Sequence, residues 1–116
     1  ISQVLDLAVI DELRELGGEE DPQLLHELIE LFLEDAPARL AEMAEALDAQ
    51  DLEGMRRAAH TLKSSSANMG AVLFCQLCRD LEAAARESDA SAFRETHEQC
   101  RGAYQAFESE LRRLRG

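Results

Sequence analysis

The most chemically loaded stretch of the sequence is RRAAHTLKSSSANMG, Arg56 to Gly70, in which His60 is followed three positions later by Lys63, the one lysine of the chain. A neutral imidazole is a nucleophile near pH 7. On a helix, residues three and four apart are neighbours, so the ammonium can reach a group carried on the ring. Arg56, Arg57 and Lys63 form the densest cation group ahead of the C-terminal tail, in a chain with 24 acidic and 12 basic residues. Ser64, Ser65 and Ser66 stand where alanine would make a better helix, and their small side chains let another surface come close. These residues read either as a face that binds an anionic group or as a surface histidine with a cation nearby.

The other two histidines are placed differently. His97 falls within an apolar stripe between Phe93 and Cys100 and reads as a core or boundary histidine with a hydrogen-bond partner. His26 lies off its stripe and reads as surface decoration. Cys75-x-x-Cys78 and His97-x-x-Cys100, on neighbouring helices, would supply four zinc-type ligands. Their i, i+3 spacing is helical, however, and buried cysteines commonly act as small hydrophobes. The expectation is that this domain holds no metal. Thiol redox chemistry at Cys75-x-x-Cys78 lacks the surrounding strand–helix–strand pattern.

Positioning these groups falls to helices. Aromatic residues make up 4% of the chain and there are two prolines; alanine, leucine, glutamate and arginine dominate, a helix-forming mixture. A segment from Val4 to Leu16 ends at Gly17-Gly18. Asp21-Pro22 reads as an N-cap with proline at the first helical position. A long stripe follows through Leu25, Leu28, Phe32, Ala36, Leu40, Met43 and Leu47, with a kink or a break expected at Pro37. From Asp51, the stripe Leu52, Met55, Ala59, Leu62, Ser66 and Met69 steps by three and four until Gly70 closes it. At about 100° per residue, Arg56, His60, Lys63, Ser64 and Ala67 fall together on its exposed flank. A fourth segment, about Val72 to Arg86, turns Phe74, Leu77, Leu81 and Ala84 inward. After an ESDAS turn, a last helix carries Phe93, His97, Cys100, Tyr104, Phe107, Leu111 and Leu114. The fold expected is all-α: one domain over residues 1–116, an antiparallel four-helix bundle (21–116) with a short extra N-terminal helix (1–18).

A net charge of −12 argues against nucleic acid and against direct contact with an anionic membrane. The longest uncharged run, Ser64 to Cys78, is fifteen residues, too short and too polar to span a bilayer. Three scattered cysteines and no secretion signal fit a reduced, cytoplasmic compartment. The start at Ile1 without methionine suggests a piece of a longer protein.

The residues AHTLKSSSANMGA resemble the signature of histidine-containing phosphotransfer (HPt) domains of bacterial phosphorelays. GGEEDPQLLHELIELFLEDAPARLAEM resembles the family's preceding long helix, and LCRDLEAAAR the helix that follows. The resemblance implies a phosphorelay intermediate. His60 would accept a phosphoryl group from a receiver-domain aspartate and pass it to another. Lys63 would stabilise the phosphoryl charge, with Arg56 or Arg57 helping, and Glu82 would orient the imidazole. Ser64 takes the small position where the family most often has glycine. Arg56, Arg57, Ser64, Ala67 and Gly70 would form the receiver docking face. The partners implied are response-regulator receivers, which bring their own Mg2+; the domain itself would need no cofactor, and no G-x-x-x-x-G-K-[ST] ATP loop is present. It is expected to be monomeric, and either free or tethered as the C-terminal domain of an inner-membrane hybrid kinase. Two other readings stay open: a helical docking module without phosphoryl chemistry, and the phosphoacceptor domain of a chemotaxis-type kinase.

Overall fold

A computed structural model describes residues 5–115, all of whose regular structure is helical. Five helices follow in order: α1 Leu7–Gly17, α2 Leu24–Asp48, α3 Leu52–Asn68, α4 Val72–Arg86 and α5 Ala90–Arg115. Helix α3 packs on α4, α4 on α5, and α2 on both α3 and α5, which closes the four-helix ring, while α1 packs on α2. With 25 and 26 residues, α2 and α5 are longer than α3 and α4, with 17 and 15. At about 1.5 Å per residue the difference leaves a step of roughly 12 Å or more. Helix α1 fills the step, bringing Ile10 into the core.

Local chemistry sets the helix ends. The Asp6 side chain accepts from the Ala8 amide, so α1 starts at Leu7; its expected first residue, Val4, lies outside the described residues. Gly18, at φ 55°, ends it. The expected N-cap at Asp21 is not formed. The Asp21 carbonyl accepts from Leu24 and its amide donates to Gly17, so Asp21-Pro22 belongs to a turn and α2 begins after Gln23. Pro37 lies within one unbroken helix, not at a break between two. Asp51 caps α3 by accepting from Gly54 at 3.0 Å. The last turn is Glu87 to Asp89, with Ser88 at φ 58°, and Asp89 accepts from the Ala92 amide at the start of α5.

The core follows the periodic stripes with three corrections. Ile29 is fully buried where Leu28 is only partly so. Leu52 is exposed, because it begins its helix at the bundle's edge. Cys78 is buried deeper than Leu77. Phe32 packs edge-on against Phe107 at 5.4 Å and Phe74 at 6.4 Å between ring centres, joining α2, α4 and α5; such pairs add to the apolar burial.

Candidate functional site

His60 projects from the middle of α3, with its side chain 54% exposed. Glu82, on α4, is buried, and its carboxylate spans two partners from α3. One oxygen, Oε2, lies 2.7 Å from His60 Nδ1; the other, Oε1, accepts from Lys63 Nζ at 2.7 Å. Arg86, one turn along α4, approaches Oε2 at 3.4 Å. A buried carboxylate is costly unless paired, and here both oxygens are satisfied. The hydrogen bond from Lys63, above all, holds the Glu82 carboxyl below its ordinary range; burial opposes this, while the His60 bond and the charges of Lys63 and Arg86 add to the lowering. Glu82 is therefore ionised near neutral pH and can only accept. His60 must carry its proton on Nδ1, which leaves the lone pair on Nε2. Fixing the tautomer through the other nitrogen is a common device for presenting an imidazole.

The serine run has a local explanation. Ser64, Ser65 and Ser66 each donate to the carbonyl four residues back, at 3.3, 3.1 and 2.6 Å. This back-bonding satisfies the hydroxyls within the helix. Ser64 and Ala67 are exposed beside His60, which leaves little bulk on that flank. A shallow groove adjoins it, lined by Val9, Ala67, Val72, Leu73, Gln76 and Arg79. Val72 and Leu73 are among the exposed large apolar residues of the chain.

The remaining residues expected at this face are arranged unevenly. Arg56 is held on its own helix by Glu53, through both Nε and Nη2. Arg57 lines a different groove, between α2 and α3, with Arg39, Glu45 and Asp51. Gly70 is buried yet lines the groove beside Ala67; it closes the α3–α4 turn at φ 74°, and its carbonyl accepts from the Asp6 amide at 2.7 Å. Arg86 was not among the expected residues, although its position four after Glu82 is a readable pairing signal. The burial of Glu82 was also legible, since Phe74, Cys78, Leu81 and Ala85 on the same helix mark the inward side.

The thiols and His97 serve the core. His97 donates from Nε2 to the Leu40 carbonyl at 3.0 Å, as a boundary histidine should. The Cys75 thiol faces the Lys63 carbonyl at 3.6 Å. Cys78 interacts with Cys100, and that contact, followed by burial, pushes its thiol far above the ordinary range. Metal ligation needs thiolates, so the environment disfavours it. Among the described residues, no group of three or more His, Cys, Asp or Glu could hold a metal ion, and no helix is long and apolar enough to cross a membrane.

The sequence model of the Hpt domain matches residues 27–115. The sensor protein TorS of Escherichia coli is 40% identical over 80 residues, 69% of this chain and 8% of TorS. Multistep phosphorelay regulator 1 of Schizosaccharomyces pombe is 28% identical over 80 residues, 69% of this chain and 27% of that protein. The chain thus spans a small part of both curated relatives. Among solved structures, the histidine-containing phosphotransfer protein B (HptB) of Pseudomonas aeruginosa superposes with a TM-score of 0.91 at 30% identity, covering 99% of this chain and 96% of that one. The maize protein ZmHP2 shares the fold, with a TM-score of 0.86 at 22% identity over 97% and 83% of the two chains.

Proposed function

The chain belongs to the Hpt domain family and is a phosphorelay intermediate, and on that premise we propose that His60 Nε2 is the atom that carries the phosphoryl group. The observation that supports this most is the 2.7 Å contact between Nδ1 and the ionised Glu82, in a ring that is half exposed. The lone pair on Nε2 attacks the phosphorus of a receiver's aspartyl phosphate. The P–O bond to the aspartate breaks, and its electron pair leaves with the carboxylate. The ring becomes an imidazolium bearing the phosphoryl group, its Nδ1 proton still shared with Glu82. Onward transfer reverses these steps on a second receiver. A protonated ring leaves as neutral imidazole, so Glu82 also keeps the P–N bond reactive.

Lys63 has a second task in this scheme. Its ammonium neutralises Glu82 before transfer and turns to the phosphoryl oxygens afterwards, a short move for a side chain only 26% exposed and already beside the ring. The receiver supplies the magnesium ion together with its aspartate. It docks over Ser64 and Ala67 and onto the apolar lip formed by Val72 and Leu73, giving apolar contacts around a polar centre. By likeness to TorS, the chain works as one domain of a larger sensor kinase.

The test is transfer from a receiver phosphorylated on its aspartate, with magnesium, to the native chain and to His60→Gln. An acid-labile, alkali-stable label on the native chain, missing from the variant, is expected. If several receivers and a chemotaxis-type kinase domain all leave the native chain unlabelled, a docking module without phosphoryl chemistry becomes the better account.

A further inference from the structure

Resting on His60 as the phosphoryl carrier, we propose that the Ser64 hydroxyl is a neutral hydrogen-bond donor to the phosphoryl group and prolongs the life of the phosphohistidine. The two ring nitrogens of an imidazole point in nearly opposite directions. Nδ1 lies 2.7 Å from Glu82 on α4, so Nε2 points away from α4. At about 100° per residue, Lys63 lies roughly 60° to one side of His60 and Ser64 roughly 40° to the other. Lys63 is on the α4 side, where its ammonium meets Glu82 Oε1. Ser64 is therefore on the side to which Nε2 points. It stands one turn along, roughly 5–6 Å away between Cβ atoms, and it is exposed. Ser65 and Ser66 lie about 140° and 240° round the helix from His60, and Ser66 is buried.

The three hydroxyls are held unequally. Ser66 donates to the Leu62 carbonyl at 2.6 Å and Ser65 to the Thr61 carbonyl at 3.1 Å. Ser64 reaches the His60 carbonyl at 3.3 Å. Bonds between hydroxyl donors and oxygen cluster at about 2.7–2.8 Å, so this one is stretched. Its acceptor does not depend on it, because within an α-helix the His60 carbonyl already accepts from the Ser64 amide. The hydroxyl can turn to a phosphoryl oxygen and leave no polar group unsatisfied. A bond to an anionic oxygen is shorter and stronger than the one given up. In the function proposed, Lys63 supplies charge, whereas Ser64 supplies a directed bond without charge. Salt separates the two contributions.

The experiment uses inorganic phosphoramidate, which phosphorylates exposed imidazoles without a receiver. Its P–N bond breaks, ammonia leaves, and a P–N bond to the ring forms. In a His26→Gln background His60 is the exposed histidine, since His97 is buried. The half-life of phosphohistidine is followed by phosphorus NMR at low and high salt for the native side chain, Ser64→Ala and Ser64→Thr. Alanine is the better helix former, so Ser64→Ala keeps the fold. It should shorten the half-life about 3- to 10-fold, and equally at both salt levels, because a neutral donor is not screened as a charge is. Ser64→Thr keeps the hydroxyl and should recover most of the loss. Equal half-lives for the native side chain and Ser64→Ala would overturn the proposal. So would a difference that vanishes at high salt, or a Ser64→Thr variant as short-lived as Ser64→Ala. Transfer from a receiver is measured in parallel. Failed transfer together with a Ser64→Ala effect that Ser64→Thr reverses overturns the relay role while supporting the Ser64 assignment. Successful transfer with equal half-lives does the reverse, and no phosphohistidine by either route overturns both.

Discussion

Glu82 ties three side chains from two helices to one carboxylate, so its charge bears on stability and, in the function proposed, on the chemistry as well. Folding lowers its pKa from the ordinary 4.5, chiefly through the Lys63 hydrogen bond. A depressed carboxyl stabilises the fold above its unfolded value and loses that contribution as the pH falls through the lower folded value. Glu82→Gln should therefore flatten the decline in stability below about pH 4.5, measured by urea unfolding at a series of pH values, relative to the native chain. The same substitution keeps a hydrogen-bond acceptor for Nδ1 but removes the charge that favours the imidazolium. It should slow phosphoryl transfer by about tenfold, the usual scale for a partner that orients a reactive histidine. The exposed flank that His60 and Lys63 share was legible from spacing, because such a flank can be read from a buried stripe; the phosphoryl roles of the two came only from family resemblance. Glu82 entered through family resemblance. Its burial could have been read from its register with Cys78, but its bridging of Lys63 could not, since that depends on how α3 and α4 are set against each other.

At the scale of elements, periodicity located every helix, and the misreadings sit where local signals compete. Asp21-Pro22 has the composition of a helix start, yet a backbone turn takes up its carbonyl and α2 begins later. Pro37 signalled a kink or a break, and α2 runs through it without a break. Two glycines, Gly102 within a helix and Gly70 after one, show the opposite sides of glycine's conformational freedom. Gly102 sits in α5 with nothing within 4 Å of where a Cβ would stand. Gly102→Ala should raise stability by about 0.5–1 kcal/mol, by removing helix-opposing backbone entropy. Gly70 has φ 74°, and a Cβ there would lie 2.9 Å from the Asp6 carbonyl oxygen and 3.1 Å from Val9 Cβ. Gly70→Ala should cost about 2 kcal/mol or more, since backbone strain and crowding add. Thermal unfolding of the two variants should move in opposite directions.

For the whole molecule, the bundle's role is to hold α3 and α4 in one register, because the site exists only where His60 and Lys63 on one helix meet Glu82 on the next. The all-helical ring was legible from four apolar stripes and short connections. How its uneven end is covered was not, because nothing in the spacing of α1 says which turn it rests on. The family match starts at residue 27, beyond α1, and yet α1 is bonded through the Asp6 amide to Gly70, in the turn that sets α3 against α4. A fragment trimmed to the matched region would lose the burial of Leu5 and Ile10 along with that bond. Its melting temperature should fall on the order of 10 °C. Homology borders are thus a poor guide for anyone grafting this domain into a synthetic signalling circuit, where a carrier cut at residue 27 would leave the geometry between its histidine and its carboxylate without the contact that braces it.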